Sequence, residues 1–102
     1  MAKTVIWSNE SLDDIDNIAE YISRDSVHHA QRVVDEIISI IETLSTQPEM
    51  GRIVPELNQS HIREHFIYSY RIIYEYLNDE LHILTVIHGN RLLENVNERF
   101  KE

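Results

Sequence analysis

Residues 69–91 read SYRIIYEYLNDELHILTVIHGNR, two apolar runs with a short polar break between them. YRIIYEYL (70–77) and LHILTVIH (81–88) are rich in β-branched and aromatic residues, and Asn78 and Asp79 are types that tolerate tight turns. The stretch predicts an antiparallel hairpin whose alternation decides which side chains share a face. With 78–79 as a two-residue loop, Leu77 stands opposite Glu80, Arg71 opposite Val86, and His88 diagonally beside Arg71 on the same face. A four-residue loop would set Arg71 directly opposite His88; only an odd-numbered loop would separate them. On this reading Tyr70, Ile72, Tyr74, Tyr76, Leu81, Ile83 and Ile87 pack under other elements, and Arg71, Glu75, His82 and His88 line an open face.

Working outward, IREHFI (62–67) adds a third strand to the meander. KTVIW (3–7) fits a short first strand, and Ser8 is placed to cap a helix with Leu12, Ile15, Ala19 and Ile22 at helical spacing. Asp13, Asp14 and Asp16 crowd the early turns of that helix, where its dipole favours negative charge. Asp25 or Ser26 restarts the chain into a second helix over about residues 27–46, with Ala30, Val33, Val34, Ile37, Ile41 and Leu44 on its apolar stripe. So short a connection folds the two helices into an antiparallel hairpin, and Pro48 and Gly51 end the helical half. Leu92, Leu93, Val96 and Phe100 suggest a short closing helix. The expected class is α+β, one domain over residues 1–102: an N-terminal strand, then a helical hairpin packed on a small, mainly antiparallel sheet.

Composition narrows the chemistry. The 102 residues include no cysteine, which excludes disulfides, thiol nucleophiles and cysteine-ligated zinc. His28 and His29 lack metal-ligand spacing, and neither a metal nor another cofactor is expected. The start, MAKTVIWSNES, has an apolar run too short for a secretory signal, and no segment approaches membrane-spanning length, so a cytoplasmic location is expected. A net charge of −9 opposes broad attraction to nucleic acid or anionic lipid. That charge is uneven: residues 1–50 carry ten acidic and three basic side chains, residues 51–102 eight and six. The second half could hold a local cationic spot of Arg52, Arg63, Arg71 and Arg91.

Taken in order, SLDDIDNIAEYI, the P-E-M-G-R-I-V-P-E link, Arg63–Glu64, YRIIY and the ending V-I-H-G-N-R resemble the RelE/ParE superfamily of toxins from bacterial type II toxin–antitoxin pairs. The resemblance implies a growth-inhibiting, plasmid-stabilising toxin that forms a hetero-oligomer with a cognate antitoxin. RelE-like members are ribosome-dependent messenger-RNA endonucleases, whereas ParE-like members poison DNA gyrase. Under the first mode Arg71 resembles the strand arginine that contacts the scissile phosphate and Arg91 a second arginine, with Glu56 and His88 similar in placement to a base and an acid. Under the second, Arg91, Leu92, Leu93, Val96 and Phe100 would form the target-binding surface. The strand HIREHFI carries only Arg63 where nucleases often have several cations, the last tyrosine is Tyr76, and the long hairpin and G-R-x-V-P-E link are more ParE-like. Gyrase poisoning is therefore the favoured reading, with ribonuclease action, and an inert antitoxin-binding member, as alternatives.

Each candidate also has a purely structural reading. Arg71 can pair across strands with Glu64 or Glu75. His88 can end a strand with its ring hydrogen-bonded, and Glu56 can be an exposed loop residue. A two-residue link at Tyr68–Ser69 would turn Arg63 away from the face of Arg71, towards an aspartate of the first helix.

Overall fold

The computed structural model describes residues 4–89. Its elements are β1 (Thr4–Trp7), α1 (Asn9–Ser23), α2 (Val27–Thr46), a single 3-10 turn (Pro48–Met50), β2 (Arg52–Ile53), β3 (Ile62–Ile67), β4 (Tyr70–Leu77) and β5 (Glu80–His88). This is the expected α+β arrangement, with the five strands in the order β1-β5-β4-β3-β2. β1 lies parallel to β5, and every other neighbouring pair is antiparallel. The expected closing helix falls outside the described residues.

Local chemistry sets the helix boundaries. The Ser8 side chain accepts from Ser11 N–H at 3.0 Å and Ser26 from His29 N–H at 3.0 Å, each satisfying a donor that the first turn leaves unpaired. Ile18, Val33, Ile37, Ile41 and Leu44 then bury against Ile72, Tyr74, Leu81, Ile83 and Val86 of the sheet. Opposite the helices, Val54, Ile62, Ile73 and Ile87 form a second, smaller core, covered by the β2–β3 segment through Leu57. Both residues of the turn, Asn78 and Asp79, have positive φ (54° and 63°), the geometry that suits a two-residue hairpin loop between right-twisted strands.

The hairpin register departs from simple alternation. Leu77 faces Glu80, as the turn requires, but Tyr74 faces Ile83 while Ile73 faces Thr85, so Leu84 is an extra residue on β5. Beyond this bulge Arg71 faces Ile87 and Tyr70 faces His88. The expected sharing of a face by Arg71 and His88 is thus overturned, and Ile87 and Val86 exchange their expected sides. The cause lies at the sheet edge, since β1 ends at Trp7, opposite Ile83. The start of α1 takes over there: Ser8 N–H donates to Ile83 O at 3.1 Å and Ser8 Oγ to Leu84 O at 3.0 Å. The Asp14 carboxylate accepts from Thr85 Oγ1 at 2.6 Å and from Val86 N–H at 3.0 Å. A helix side chain supplies the acceptor that a continuing strand would have provided.

Candidate functional site

On the sheet face opposite the helices, Arg71 is the centre of an ionic cluster. Glu64 on β3 and Arg71 on β4 lie diagonally across the strand pair, because Glu64 faces Ile73 and Phe66 faces Arg71. Arg71 Nε donates to Glu64 Oε1 at 2.7 Å, and its Nη2 also contacts that oxygen. The other Glu64 oxygen accepts from Arg52 Nε at 2.6 Å. From the β2–β3 segment, Glu56 grips the Arg71 fork with both oxygens, at 3.0 Å to Nη1 and 3.1 Å to Nη2. The Phe66 ring lies beneath both guanidinium groups, 5.3 Å from Arg52 and 5.9 Å from Arg71.

Burial makes this cluster more than a surface contact. Arg71 is 4% exposed and Glu64 1%. Burial alone would lower the pKa of Arg71, but the hydrogen bonds and charges of Glu56 and Glu64 outweigh it and raise the pKa above the ordinary value. Among the described residues, the two arginines and two glutamates of this cluster sum to no net charge. The expected cationic spot is therefore neutralised where it includes Arg52 and Arg71.

His88 lies on the helix side, where its ring meets Tyr70 edge-to-face at 5.8 Å between centroids. It lines a cavity of about 550 Å³ between the hairpin and the end of the sheet, with Tyr21, His29, Tyr68 and Tyr70. Arg71, Glu56 and His88 are thus not one constellation: Glu56 joins Arg71, while His88 is across the sheet. Arg63 does turn away from Arg71, but it donates to Gly51 O at 2.9 Å and lies 6.0 Å from the Tyr76 ring, not against an α1 aspartate. Glu75 pairs with His61 at 3.1 Å. Arg91, Leu92, Leu93, Val96 and Phe100 lie outside the described residues. Among the described residues no three His, Asp or Glu side chains converge as metal ligands would, and no helix is long and apolar enough to cross a membrane.

Sequence pattern alone does not show that Arg52 bridges to Glu64. The signal for that bridge is the pairing of a two-residue strand with β3, which sets Arg52 opposite Glu64. The helix dipole accounts for Asp14 as an early-turn charge of α1, but its carboxylate also accepts from Thr85 and Val86 on β5.

The N-terminal strand, helical hairpin and antiparallel meander, with the arginine–glutamate cluster on the sheet face opposite the helices, match the RelE/ParE-like fold. Residues 5–93 match the family described as "ParE toxin of type II toxin-antitoxin system, parDE", and the chain belongs to that family. No curated protein matches significantly. Among solved structures, the chain resembles a protein of the chromosomal ParDE toxin–antitoxin system from P. aeruginosa (TM-score 0.71, 16% identity, covering 85% of this chain and 96% of that one). It also resembles a chain of the RelBE2 toxin–antitoxin complex from Mycobacterium tuberculosis (TM-score 0.64, 18% identity, 86% and 99%). A third similar structure is a mutant of the E. coli toxin RelE in the free state (TM-score 0.65, 12% identity, 98% and 92%). At these identities the likeness is one of fold.

Proposed function

We propose that this toxin acts in the ParE manner, inhibiting growth by poisoning DNA gyrase, and that it is neutralised by a cognate antitoxin. The observation that supports this reading is the state of Arg71, buried and gripped by Glu56 and Glu64, with His88 on the opposite side of the sheet. Metal-free RNA cleavage needs a cation on the phosphate with a base and an acid beside it. Here the proposed base is spent on the arginine and the proposed acid is elsewhere. Target binding is assigned to Arg91, Leu92, Leu93, Val96 and Phe100. The antitoxin segment should be rich in Lys and Arg, because residues 1–50 carry ten acidic side chains against three basic ones.

The test is inducible expression in bacteria of the wild type, His88→Ala and a truncation after Asn90, alongside supercoiling by purified gyrase. Filamentation with a DNA-damage response, inhibited supercoiling, a toxic His88→Ala and a harmless truncation are expected. Cleaved transcripts with rapid translation arrest, lost in a stably folded His88→Ala, would overturn the proposal in favour of ribonuclease action.

A further inference from the structure

Five of the residues lining the cavity between the helical hairpin and the end of the sheet carry aromatic rings: Tyr21, His29, Tyr68, Tyr70 and His88. The lining includes no lysine or arginine and one carboxylate, that of Asp14. A cation is drawn to a ring face by the ring's quadrupole, most strongly where water is partly excluded. We propose that this cavity is a seat for an arginine side chain presented by a basic peptide segment of a partner protein.

Three observations carry the assignment. The first is the backbone of Tyr68, at φ 54°. The other described non-glycine residues with positive φ are Asn58, Asn78 and Asp79, types that tolerate this region, whereas a bulky aromatic is an outlier there. Asparagine or glycine would close the β3–β4 turn with less strain. Burial does not offset that strain, because Tyr68 is 50% exposed. The turn thus holds a phenol ring at the cavity at a conformational cost, as binding sites do.

The second is the meeting of rings from separate elements. His29 of α2 and Tyr68 stand edge-to-face at 6.4 Å between centroids, and Tyr70 and His88 do the same across β4 and β5. Burial, and after it the neighbouring phenol of Tyr21, raises the Tyr70 pKa, so hydroxyls from α1 and β4 lie close together. Rings set at right angles give a flat guanidinium a face to stack on while oxygens accept from its N–H groups, a fit that the compact lysine ammonium lacks. Tyr21 is 68% exposed, and large rings exposed at a cavity mouth mark a surface that a partner crosses.

The third is charge. At the rim Glu36 accepts a hydrogen bond from the Tyr68 hydroxyl, which raises the Tyr68 pKa, and the charge of Arg32, one turn earlier on α2, opposes that rise. The lining adds Asp14, and residues 1–50, which supply both helices, carry ten acidic and three basic side chains. Such surroundings favour a cationic ligand and disfavour a nucleotide. The cavity lies across the sheet from the arginine–glutamate cluster, and binding there does not depend on gyrase as the target.

The experiment titrates full-length wild type, Tyr21→Leu, Tyr68→Asn and, as control, Asp13→Asn with a capped glycine–arginine–glycine tripeptide at constant ionic strength. Aromatic proton resonances of the tyrosines and His29 follow binding. Wild type should bind this peptide at least about fivefold more tightly than its citrulline analogue, which keeps the shape of arginine without the charge. A lysine analogue should bind more weakly than the arginine peptide. Tyr21→Leu and Tyr68→Asn should each weaken binding about threefold or more, with Asp13→Asn unchanged. Asparagine suits the left-handed turn position, so Tyr68→Asn should keep the wild-type thermal midpoint and its weaker binding then reports the lost ring. Equal binding of the arginine and citrulline peptides, or wild-type affinity in both tyrosine variants, would overturn the seat. Methylguanidinium binding as tightly as the tripeptide would overturn the peptide source in favour of a small free cation. Neither gyrase nor an antitoxin enters the measurement, so its failure is distinguishable from failure of the proposed function.

Discussion

Replacing Glu64 by glutamine should cost about 3 kcal/mol of folding stability, a large share of the roughly 5–15 kcal/mol that holds a small domain together. The bond from Glu64 to Arg52 contributes little, because the Arg52 side chain is 61% exposed and screened pairs are worth about 0–1 kcal/mol. The Arg71 side is different. Both partners are buried there, and removing one member of a buried pair typically costs about 3–5 kcal/mol. Two details pull the figure to the low end: the glutamine carbonyl still accepts one hydrogen bond, and Arg71 keeps the bidentate grip of Glu56. Urea unfolding read by Trp7 fluorescence and by circular dichroism gives the loss, with an unchanged m-value if only stability is altered. A double-mutant cycle with Arg71→Met should return a coupling of about 2 kcal/mol or more. A Glu64→Gln cost below about 1 kcal/mol, or additivity with Arg71→Met, would refute the claim that the buried pair holds this face together. The same reasoning bears on toxicity assays. Arg71→Ala strands the buried Glu64 carboxylate with only its exposed partner, so loss of toxicity in that variant reports on folding before it reports on chemistry.

Two further outcomes follow from contacts elsewhere in the fold. Asp14→Ala removes the acceptor for the Thr85 hydroxyl and Val86 N–H; it should cost about 2–4 kcal/mol by thermal unfolding, while Asp13→Ala, on an exposed residue of the same turn, should stay within about 0.5 kcal/mol. Burial raises the Tyr74 phenol above its ordinary value of 10.0, and its hydroxyl donates to Pro48 O at 2.6 Å while accepting from Gly51 N–H at 3.0 Å. The unfolded chain therefore ionises first, so this stability is intact below that value and lost as pH climbs from it through the folded pKa. Unfolding monitored by phenolate absorbance should show the loss, and Tyr74→Phe should flatten this part of the alkaline limb while lowering stability at neutral pH by about 1–3 kcal/mol.

Most of the architecture was legible because short-range signals and the global pattern agree. Ser8 and Ser26 mark helix starts, the apolar stripe of α2 repeats with helical period, and Asn78–Asp79 takes the left-handed conformations that close a tight hairpin. The candidate site was less legible because it depends on one residue of register. From Leu77 back to Tyr74 the alternation of the hairpin holds, and every side chain falls on its expected face. At Leu84 the ladder gains a residue, and from there Val86, Ile87 and His88 change sides. In LHILTVIH the strict alternation breaks at Ile83–Leu84, but adjacent apolar residues recur at Val86–Ile87, so the pattern alone does not fix where the extra residue sits. The cue lies some seventy residues upstream in Ser8 and Asp14, whose partners on β5 exist only once β1 has ended and α1 has crossed the sheet edge. Arg71 escapes this ambiguity, because its pairing with Glu64 is set by the β3–β4 register, which carries no bulge. The cross-strand ion pair was thus readable in advance, whereas the side of the sheet that His88 faces is decided by a helix cap and a carboxylate from the other end of the chain.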